Sequence, residues 1–335
     1  MQAINGPSVW TGEELSSRDD VHYQFSEQDV GEIREALDDS PKLDGPIYQQ
    51  AALAMPTIAA RCKELQSHLE HGSGVIRLNG FPVHEFSQAD ITRFFVDMTQ
   101  RIGSPLPQTE HDDRVFHVRN EGYKLDDPKA RGPNTAKRLS FHTDRCDVIA
   151  FLCVKQATSG GENQLVSSGA VYNHIYRTRP DLLAVLMEPY CYKRHSVDTA
   201  NPRPFCMQPI FSFCEGRFAA SFLRVLIDRA DADPDLPNLS DMQRQALDYL
   251  EETAELPGMQ LEFRQQPGDI LLLNNWTILH RRSAFVDHND PDMRRHLLRI
   301  WLSVPNSRPL DPMFKDNFGD TRAGAIRGGF PLSSQ

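Results

Sequence analysis

A histidine and an aspartate stand two positions apart in the segment Leu-Ser-Phe-His-Thr-Asp at residues 139–144. In an extended chain the side chains of residues i and i+2 point to the same side, so His142 and Asp144 present an imidazole and a carboxylate together. Both groups are common ligands of transition metals. Pairs of this kind also arise by chance, so a metal site requires a third ligand from another part of the chain.

A second histidine follows an apolar strand much later in the sequence. The turn signal Pro-Gly-Asp at 267–269 leads into the continuous apolar run 270–273, and His280 comes shortly afterwards. We expect His280 to lie just past that buried strand and to meet His142 and Asp144. Two histidines and one carboxylate on one face of an octahedron form the facial triad of non-heme Fe(II) oxygenases, which leaves the other positions open.

Two arginines share one face of a later predicted strand. Arg295 and Arg299 are four positions apart in the segment 294–302, where they alternate with apolar residues. Guanidinium groups that face a protein interior are costly unless they pair with anions, and they bind carboxylates through two parallel hydrogen bonds. We therefore expect the distal carboxylate of a dicarboxylic co-substrate to lie beside this strand.

The elements that must position these residues are helices first and short strands afterwards. Helices are predicted at 27–37, around the one-sided apolar series Ile58, Cys62, Leu65 and Leu69, at 87–102, after Pro180, and after the capping box of Ser240 and Gln243. Strands are predicted at 74–79, 115–118, 147–154, 163–168, 208–213, 217–223, 260–264, 269–274 and 296–304. This order favours an α+β protein with a β-sandwich or barrel at its centre.

Composition excludes several classes of protein. The chain has 335 residues, of which 39% are hydrophobic and 24% charged, and this is typical of a globular protein rather than a disordered, collagen-like or coiled-coil chain. A formal net charge of −10 argues against a nucleic-acid binder. The N-terminus has no signal-peptide pattern, no apolar run is long enough to span a membrane, and the six cysteines are scattered without a CxxC pair. We therefore expect a cytoplasmic protein with reduced thiols.

The combined pattern resembles the taurine-dioxygenase and γ-butyrobetaine-hydroxylase (TauD/TfdA-like) family of Fe(II)- and 2-oxoglutarate-dependent oxygenases. The segments that carry the resemblance follow the family's order over roughly residues 70–310: GVIRLNGFP, LSFHTD, SGGENQLVSS, PGDILLLNN, LHRRSAF and RHLLRIWL. By this resemblance His142, Asp144 and His280 bind Fe(II), and Arg295 anchors 2-oxoglutarate. No catalytic residue beyond the metal centre is predicted.

The same resemblance implies the fold and the reaction. The implied fold is α+β, with a double-stranded β-helix (jelly-roll) core and flanking helices. We expect a single catalytic domain over residues 1–335, in which an N-terminal helical segment, 1–70, packs on that core. The implied reaction is the hydroxylation or desaturation of a C–H bond of a small molecule, such as an amino acid derivative or a natural-product intermediate. O₂ is the oxidant, and succinate and CO₂ are released.

Two positions depart from the family's pattern. Many members have a threonine after the Gly-Gly-acid sequence, and its hydroxyl assists the carboxylate of 2-oxoglutarate. Here that residue is Asn163, whose amide we expect to take the same role. Arg299 stands where taurine dioxygenase has the arginine that grips the anionic group of its substrate. We expect Arg299 to contact either 2-oxoglutarate or the substrate.

Residues that contact the substrate are sought in less patterned regions. The weaker candidates are Gln108, Tyr192 and His195, the last two within the lid-like stretch 190–207; a second such stretch is 120–138. Arg281 and Arg282 directly follow His280 and are expected to be solvated rather than functional. The predicted partner is a small-molecule substrate, with no nucleic acid and no membrane, and a homo-oligomer is an open option.

Two alternatives to this function stay open on the sequence alone. One is a cofactor-free metal oxygenase on the same scaffold, which takes its electrons from the substrate. The other is a jelly-roll protein that binds a metal without catalysis. The inward-facing arginines favour the 2-oxoglutarate-dependent enzyme, because a binding module has little need of an anchor for a co-substrate.

Overall fold

The structure is a computed structural model and describes residues 1–41, 45–123, 132–195, 201 and 203–331. The helices of these residues are Gly12–Ser16 (α1), Glu27–Asp38 (α2), Pro56–His71 (α3), Gln88–Gln100 (α4), Ser168–Thr178 (α5), Pro180–Leu186 (α6), Arg224–Asp231 (α7), Asp241–Ala254 (α8) and Lys315–Phe318 (α9). Short 3₁₀ turns connect several of them. Among the described residues no helix is long and apolar enough to cross a membrane.

The strands are short, as expected for a sheet protein with many turns. They are His22–Gln24 (β1), Val75–Asn79 (β2), Ser104–Pro105 (β3), Phe116–Val118 (β4), Val148–Lys155 (β5), Ser159–Gly160 (β6), Asn163–Ser167 (β7), Tyr190–Lys193 (β8), Phe205–Gln208 (β9), Phe211–Cys214 (β10), Arg217–Ala220 (β11), Gln260–Phe263 (β12), Ile270–Asn274 (β13), Ile278–Arg282 (β14), Phe285–Val286 (β15) and His296–Ser303 (β16).

Two sheets face each other across an apolar core. The larger sheet has the order β1-β2-β13-β5-β16-β3, with β4 also paired to β16, and the smaller has the order β12-β7-β14. All their pairings are antiparallel except that of β1 with β2. Ile149 and Leu271 of the larger sheet share one core cluster with Leu165 and Ile278 of the smaller sheet. The inner faces of the two sheets therefore enclose the space in which a site can form.

Helices cover the outer faces of both sheets. On the larger sheet, alternate residues of β5 such as Ala150 and Leu152 pack in one cluster with Leu65 of α3 and Phe94 of α4. On the smaller sheet, Val166 and Leu279 pack with the apolar faces of α5, α6 and α8. The chain is thus a layered protein of mixed helices and largely antiparallel sheets, which confirms the predicted α+β class at this level.

The predicted elements match the structure well in the sheets and less well between them. The segments predicted as strands at 147–154, 163–168, 260–264, 269–274 and 296–304 correspond to β5, β7, β12, β13 and β16. The strand predicted at 208–213 is wrong, because the chain breaks there into β9 and β10 around Ile210, whose N–H bonds to Leu186 instead of a sheet neighbour. His280 follows the buried strand β13, as predicted, but it lies within a further strand, β14, that the sequence analysis did not predict.

A buried ion pair ties the C-terminal segment to the larger sheet. Asp147 is 1% exposed and accepts hydrogen bonds from Nε of Arg327 at 2.7 Å, Nε1 of Trp276 at 2.9 Å and the main-chain N–H of Val304 at 2.9 Å. The side chain of Arg327 is fully buried and stacks over the Trp276 ring. Removal of the carboxylate would leave a buried guanidinium without a counter-charge.

We expect Asp147→Ala to lower the free energy of unfolding by about 3–5 kcal/mol, because breaking a buried ion pair costs about that much. Urea denaturation followed by circular dichroism measures the change. The matched control is Asp320→Ala, which removes an ion pair with Arg322, a residue whose side chain is 83% exposed. That control should change stability by less than about 1 kcal/mol, and equal losses in the two variants would contradict the assignment.

Candidate metal centre

The two histidines of the predicted triad are brought together by main-chain pairing. His142 and His280 exchange N–H···O hydrogen bonds of 3.0 Å in both directions, as neighbouring antiparallel residues do. His142 also forms a bridge to Leu223, at the start of α7. The pairing places the two imidazole rings 4.4 Å apart between their centroids.

Asp144 completes the cluster two residues after His142. Its Oδ2 atom lies 3.6 Å from Nε2 of His280, and one ligand atom from each of the three residues lies within 4.8 Å of the others. Nδ1 of His142 is 2.8 Å from the carbonyl oxygen of Ser140. Since a carbonyl only accepts, Nδ1 carries the proton and Nε2 keeps the lone pair that a metal requires.

The protonation state of the cluster also suits a metal. Burial of His280, and secondarily the nearby His142, lowers the pKa of His280 to about 3 against the opposing pull of Asp144. His280 is therefore a neutral imidazole at neutral pH, as metal binding demands. Two imidazole nitrogens and one carboxylate match the donor set of a non-heme Fe(II) site. The residues present fit the predicted ion.

Asn275 fixes the main chain of Asp144 and was missed by sequence reasoning. This residue is buried, and its Oδ1 accepts from the N–H of Asp144 at 2.9 Å. Its Nδ2 donates to the carbonyls of Asp144 and Cys146, the latter at 3.0 Å. The segment PGDILLLNN carried no signal for this contact, because the partner Asp144 lies far away in the sequence.

We expect Asn275→Ala to weaken Fe(II) binding by roughly 10–100-fold, the usual effect of losing a group that orients a metal ligand. Anaerobic calorimetry with Fe(II) measures the affinity. Asn275→Asp keeps one oxygen acceptor for the Asp144 N–H and should recover part of the loss. An unchanged affinity in the alanine variant would show that Asp144 is held in place without Asn275.

Alternate side chains of β16, together with that of Arg295 directly before it, point into the space beside His142, Asp144 and His280. Arg295, Leu297, Arg299 and Trp301 follow one another at every second position, as the sequence predicted for the two arginines. All four residues are buried. Two guanidinium groups therefore lie inside the protein, on the wall of the cavity that His142, Asp144 and His280 also line.

Arg295 has no counter-ion at ion-pair distance among the described residues. It is 2% exposed, its Nε makes no hydrogen bond, and its ring contact is with Phe285, 5.1 Å from the guanidinium carbon to the ring centroid. Burial lowers its pKa to about 10, while Cys153 and Asp287 act in the opposite direction from a longer range. Gly161 has a φ of +78°, and a Cβ there would come within 3.2 Å of Nε of Arg295. The guanidinium of Arg295 is thus closely surrounded by the chain and has no anionic partner among the described residues.

Arg299 is held more tightly than Arg295. Nη1 lies 3.6 Å from Oδ2 of Asp144, and Nε donates to Oε1 of Gln108 at 2.8 Å. The guanidinium carbon lies 4.9 Å from the ring centroids of both Phe116 and Trp301. Burial lowers the pKa of Arg299, and Asp144 opposes that effect. Arg299 therefore offsets the charge of the Asp144 carboxylate as well as facing the cavity.

These groups share one cavity of about 470 Å³. His142, Asp144, His280, Arg295 and Arg299 all line it, and so do two further predicted residues, Asn163 and His195. The opposite wall comes from the start of α7 and from the segment 132–133 and 138–141. The volume is in the range of about 300–1,000 Å³ that is usual for small-molecule sites.

The weaker candidates for substrate contact differ in whether they line this cavity. Gln108 does not line it: its buried amide holds Arg299, through Nε and through the carbonyl of Arg299 at 2.9 Å. Tyr192 lines a smaller neighbouring cavity of about 100 Å³ and donates its hydroxyl to the carbonyl of Ser221. His195 lines both cavities and lies 3.0 Å from Nη1 of Arg229.

The remaining predictions for this region concern Asn163 and the lid-like stretches. Nδ2 of Asn163 donates to Oε1 of Gln265 at 3.1 Å. Residues 124–131, 196–200 and 202, which belong to the two stretches, lie outside the described residues. The roles assigned to Asn163, Gln108, Tyr192 and His195 stay predictions.

The expectation that Arg281 and Arg282 are solvated is wrong. Both are buried, at 4% and 6% exposure, because β14 extends through them. Arg281 pairs with Glu255 and lies over the ring of Phe141, 4.0 Å from its centroid. Arg282 lies two residues after His280 and thus on the inner side of the sheet. The alternation from His280 to Arg282 was a signal that could have found it.

Comparison with known proteins identifies the family. A profile of the taurine catabolism dioxygenase TauD, TfdA family matches residues 46–301, so the chain belongs to that family. It is 29% identical over 314 residues to FR-33289 synthase of Streptomyces rubellomurinus, covering 91% of each protein. It is 27% identical to the taurine hydroxylase-like protein SAT17 of Stachybotrys chartarum, covering 95% of this chain and 87% of that protein.

Solved structures show the same fold at low identity. Asparagine oxygenase, solved with Fe(II), 3-hydroxyasparagine and succinate, has a TM-score of 0.62 at 13% identity, covering 84% of this chain and 93% of its own. The non-heme iron oxygenase OrfP has a TM-score of 0.61 at 14% identity, with the same two coverages. The predicted family and the predicted class of enzyme, an Fe(II)- and 2-oxoglutarate-dependent dioxygenase, are confirmed by the family match.

Proposed function

We propose that the chain oxidises a C–H bond of a small molecule, by hydroxylation or desaturation, with consumption of 2-oxoglutarate and O₂ and release of succinate and CO₂. The observation that carries this proposal is the buried guanidinium of Arg295. It faces the cavity of the three metal ligands without an ion-pair partner among the described residues. A site that only stored a metal would have no need of this cation.

When bound, Fe(II) and 2-oxoglutarate supply the oxidising power, and the protein supplies geometry and a shielded site. His142, Asp144 and His280 would hold the ion from one side and leave its other side open to the cavity. Arg295 would bind the distal carboxylate of 2-oxoglutarate, with the amide of Asn163 in the same cavity. Phe151 and Leu297 contribute apolar surface to the wall of the same cavity.

Two architectural predictions are part of this proposal. We assign the facing seven- and three-stranded sheets to a double-stranded β-helix core, and residues 1–335 to one catalytic domain with the segment 1–70 packed on that core. Pairing of β1 with β2 and the cluster that α2 and α3 share with the larger sheet support this assignment. A cytoplasmic location stays a prediction; all six cysteines are described and are free thiols, as a reducing compartment favours.

The test of the function is an anaerobic titration of the protein with Fe(II) and then 2-oxoglutarate. We expect a weak visible charge-transfer band that saturates at one equivalent of each. Exposure to O₂ should then release succinate, faster in the presence of the substrate, which a metabolite library screened for succinate release can identify. Absence of the band together with no heat of 2-oxoglutarate binding would contradict the proposal. Oxygen consumption without 2-oxoglutarate would favour the cofactor-free oxygenase instead.

A further inference from the structure

Four buried arginines line the cavity, and they differ in how their charges are balanced. Arg281 pairs with Glu255, with 2.8 Å between Nη2 and Oε2, and Arg299 lies 3.6 Å from the carboxylate of Asp144. Arg282 and Arg295 form no ion pair with any residue that the structure describes. Among the residues that the structure describes, none supplies a carboxylate partner for these two buried cations of the cavity.

Within the part of the chain that the structure describes, Arg282 donates its hydrogen bonds to main-chain carbonyls. Its Nη2 donates to the carbonyls of Thr135 and Lys137 at 2.9 and 2.7 Å, and its Nη1 donates to that of Ser283 at 3.2 Å. One face of the guanidinium covers the ring of Phe285, with the guanidinium carbon 4.6 Å from the ring centroid. These three hydrogen bonds connect β14 to the segment that contains Thr135 and Lys137. They do not neutralise the charge of Arg282, because a carbonyl group carries no net charge. Two of the five N–H groups of an arginine remain for another acceptor.

The charges of the cavity do not balance with 2-oxoglutarate alone. Fe(II) held by two neutral imidazoles and Asp144 keeps one net positive charge, and Arg282, Arg295 and Arg299 add three more. The two carboxylates of 2-oxoglutarate cancel two of these four charges. Asp287 offsets part of the charge of Arg295 from a longer range, so at least one positive charge remains in the buried cavity, which is costly without a further anion.

We propose that Arg282 binds an acidic group of the primary substrate, so that this enzyme acts on small anions such as carboxylates, phosphonates, phosphates or sulfonates. The inference rests on the proposed function, because it assigns the second uncompensated cation only after 2-oxoglutarate has taken Arg295. Arg282 stands one step along the inner side of β14 from His280. An acidic group held there places the rest of the substrate toward the metal ligands.

Simple anions test the proposal without knowledge of the substrate. Anaerobic protein saturated with Fe(II) and 2-oxoglutarate is titrated calorimetrically with acetate, methylphosphonate, inorganic phosphate and methanesulfonate. We expect one equivalent of at least one anion to bind the wild type, and Arg282→Gln to weaken that binding by about tenfold or more. The affinity of Arg282→Gln for 2-oxoglutarate, read from the charge-transfer band, should stay within about threefold of the wild type.

The matched control is Arg138→Gln, which removes another arginine of the cavity rim. Arg138 is exposed and pairs with Glu255, so its loss should leave both affinities nearly unchanged. Arg282→Lys keeps the charge and should retain anion binding better than Arg282→Gln. If Arg282→Gln fails to fold, as thermal unfolding would show, the lysine variant and the wild type decide the outcome.

Three results would overturn the proposal. The wild type saturated with 2-oxoglutarate could bind none of the four anions; Arg282→Gln could bind them as tightly as the wild type; or Arg282→Gln could lose 2-oxoglutarate affinity as severely as a variant of Arg295. The last result would make Arg282 part of the co-substrate site. Failure of the proposed function is distinct from all three, because the wild type would then fail to bind 2-oxoglutarate in the first titration.

Discussion

Replacing Asp144 by alanine should abolish Fe(II) binding in practice and with it all succinate formation. Asp144 is the only carboxylate of the three-residue cluster, so its loss leaves two neutral imidazoles to hold a divalent cation. Changes to groups that merely orient a ligand cost roughly 10–100-fold in affinity, and we expect the loss of the ligand itself to exceed about 100-fold. Anaerobic calorimetry and iron content after desalting measure the effect.

The control for this variant is Asp228→Asn. Asp228 lies at the rim of the same cavity, where it pairs with Arg224 instead of the metal ligands. It should leave Fe(II) affinity within about threefold of the wild type. Retention of tight iron binding by Asp144→Ala would place the metal elsewhere and contradict the assigned centre.

Replacing Arg295 by glutamine should raise the concentration of 2-oxoglutarate required for half-saturation by roughly 30-fold or more. Truncating one partner of a buried charge pair costs about 2–5 kcal/mol, and each 1.4 kcal/mol is about tenfold in affinity. Fe(II) affinity should change little, because Arg295 is not among the metal ligands. Titration of the charge-transfer band with 2-oxoglutarate gives the affinity, and succinate release gives the kinetic counterpart.

Arg138→Gln serves as the control here too, since it removes a guanidinium of the same cavity that already has Glu255 as its partner. An unchanged 2-oxoglutarate affinity in Arg295→Gln would show that another cation binds the distal carboxylate, and Arg282 would be the first alternative. A loss of iron together with 2-oxoglutarate would instead indicate a general collapse of the cavity, which thermal unfolding would reveal.

The side-by-side placement of His142 and Asp144 and the inward direction of the two arginines could be predicted because their signals are local. His142 and Asp144 need only an extended segment to share a side, and Arg295 and Arg299 need only a strand. The order of the family segments then indicated that His280, which lies far away in the sequence, joins His142 and Asp144. The long apolar strands β5 and β13 were predictable for the same reason, since burial on both sides leaves a continuous apolar run.

The end of β14 could not be predicted from composition because its charges are balanced by distant residues. Arg281 and Arg282 look like a solvated pair in the sequence, yet Glu255 and the carbonyls of Thr135 and Lys137 allow them to be buried. The alternation with His280 indicated only the side of the strand on which Arg282 lies; the hydrogen bonds that allow its burial come from the folded chain and are not visible in the neighbouring sequence.

Two helices near the site were missed for different reasons. α5 had a usable signal, because Ser167 caps it by accepting from the N–H of Ala170 at 3.1 Å. α7 had no capping signal, since Leu223, the residue before its first turn, makes no side-chain cap hydrogen bond and instead bridges to His142. The residues that α7 contributes to the cavity were therefore outside the reach of sequence reasoning.

The central claim is that two imidazoles, one carboxylate and one buried guanidinium form a single centre for a metal and a dicarboxylate. A crystal structure of the protein with Mn(II), as a redox-stable substitute for Fe(II), and 2-oxoglutarate tests it most directly. The account predicts the ion between Nε2 of His142, Nε2 of His280 and the carboxylate of Asp144, with the distal carboxylate of 2-oxoglutarate on Arg295. An ion bound away from these three side chains, or a 2-oxoglutarate whose carboxylates both avoid Arg295, would contradict it.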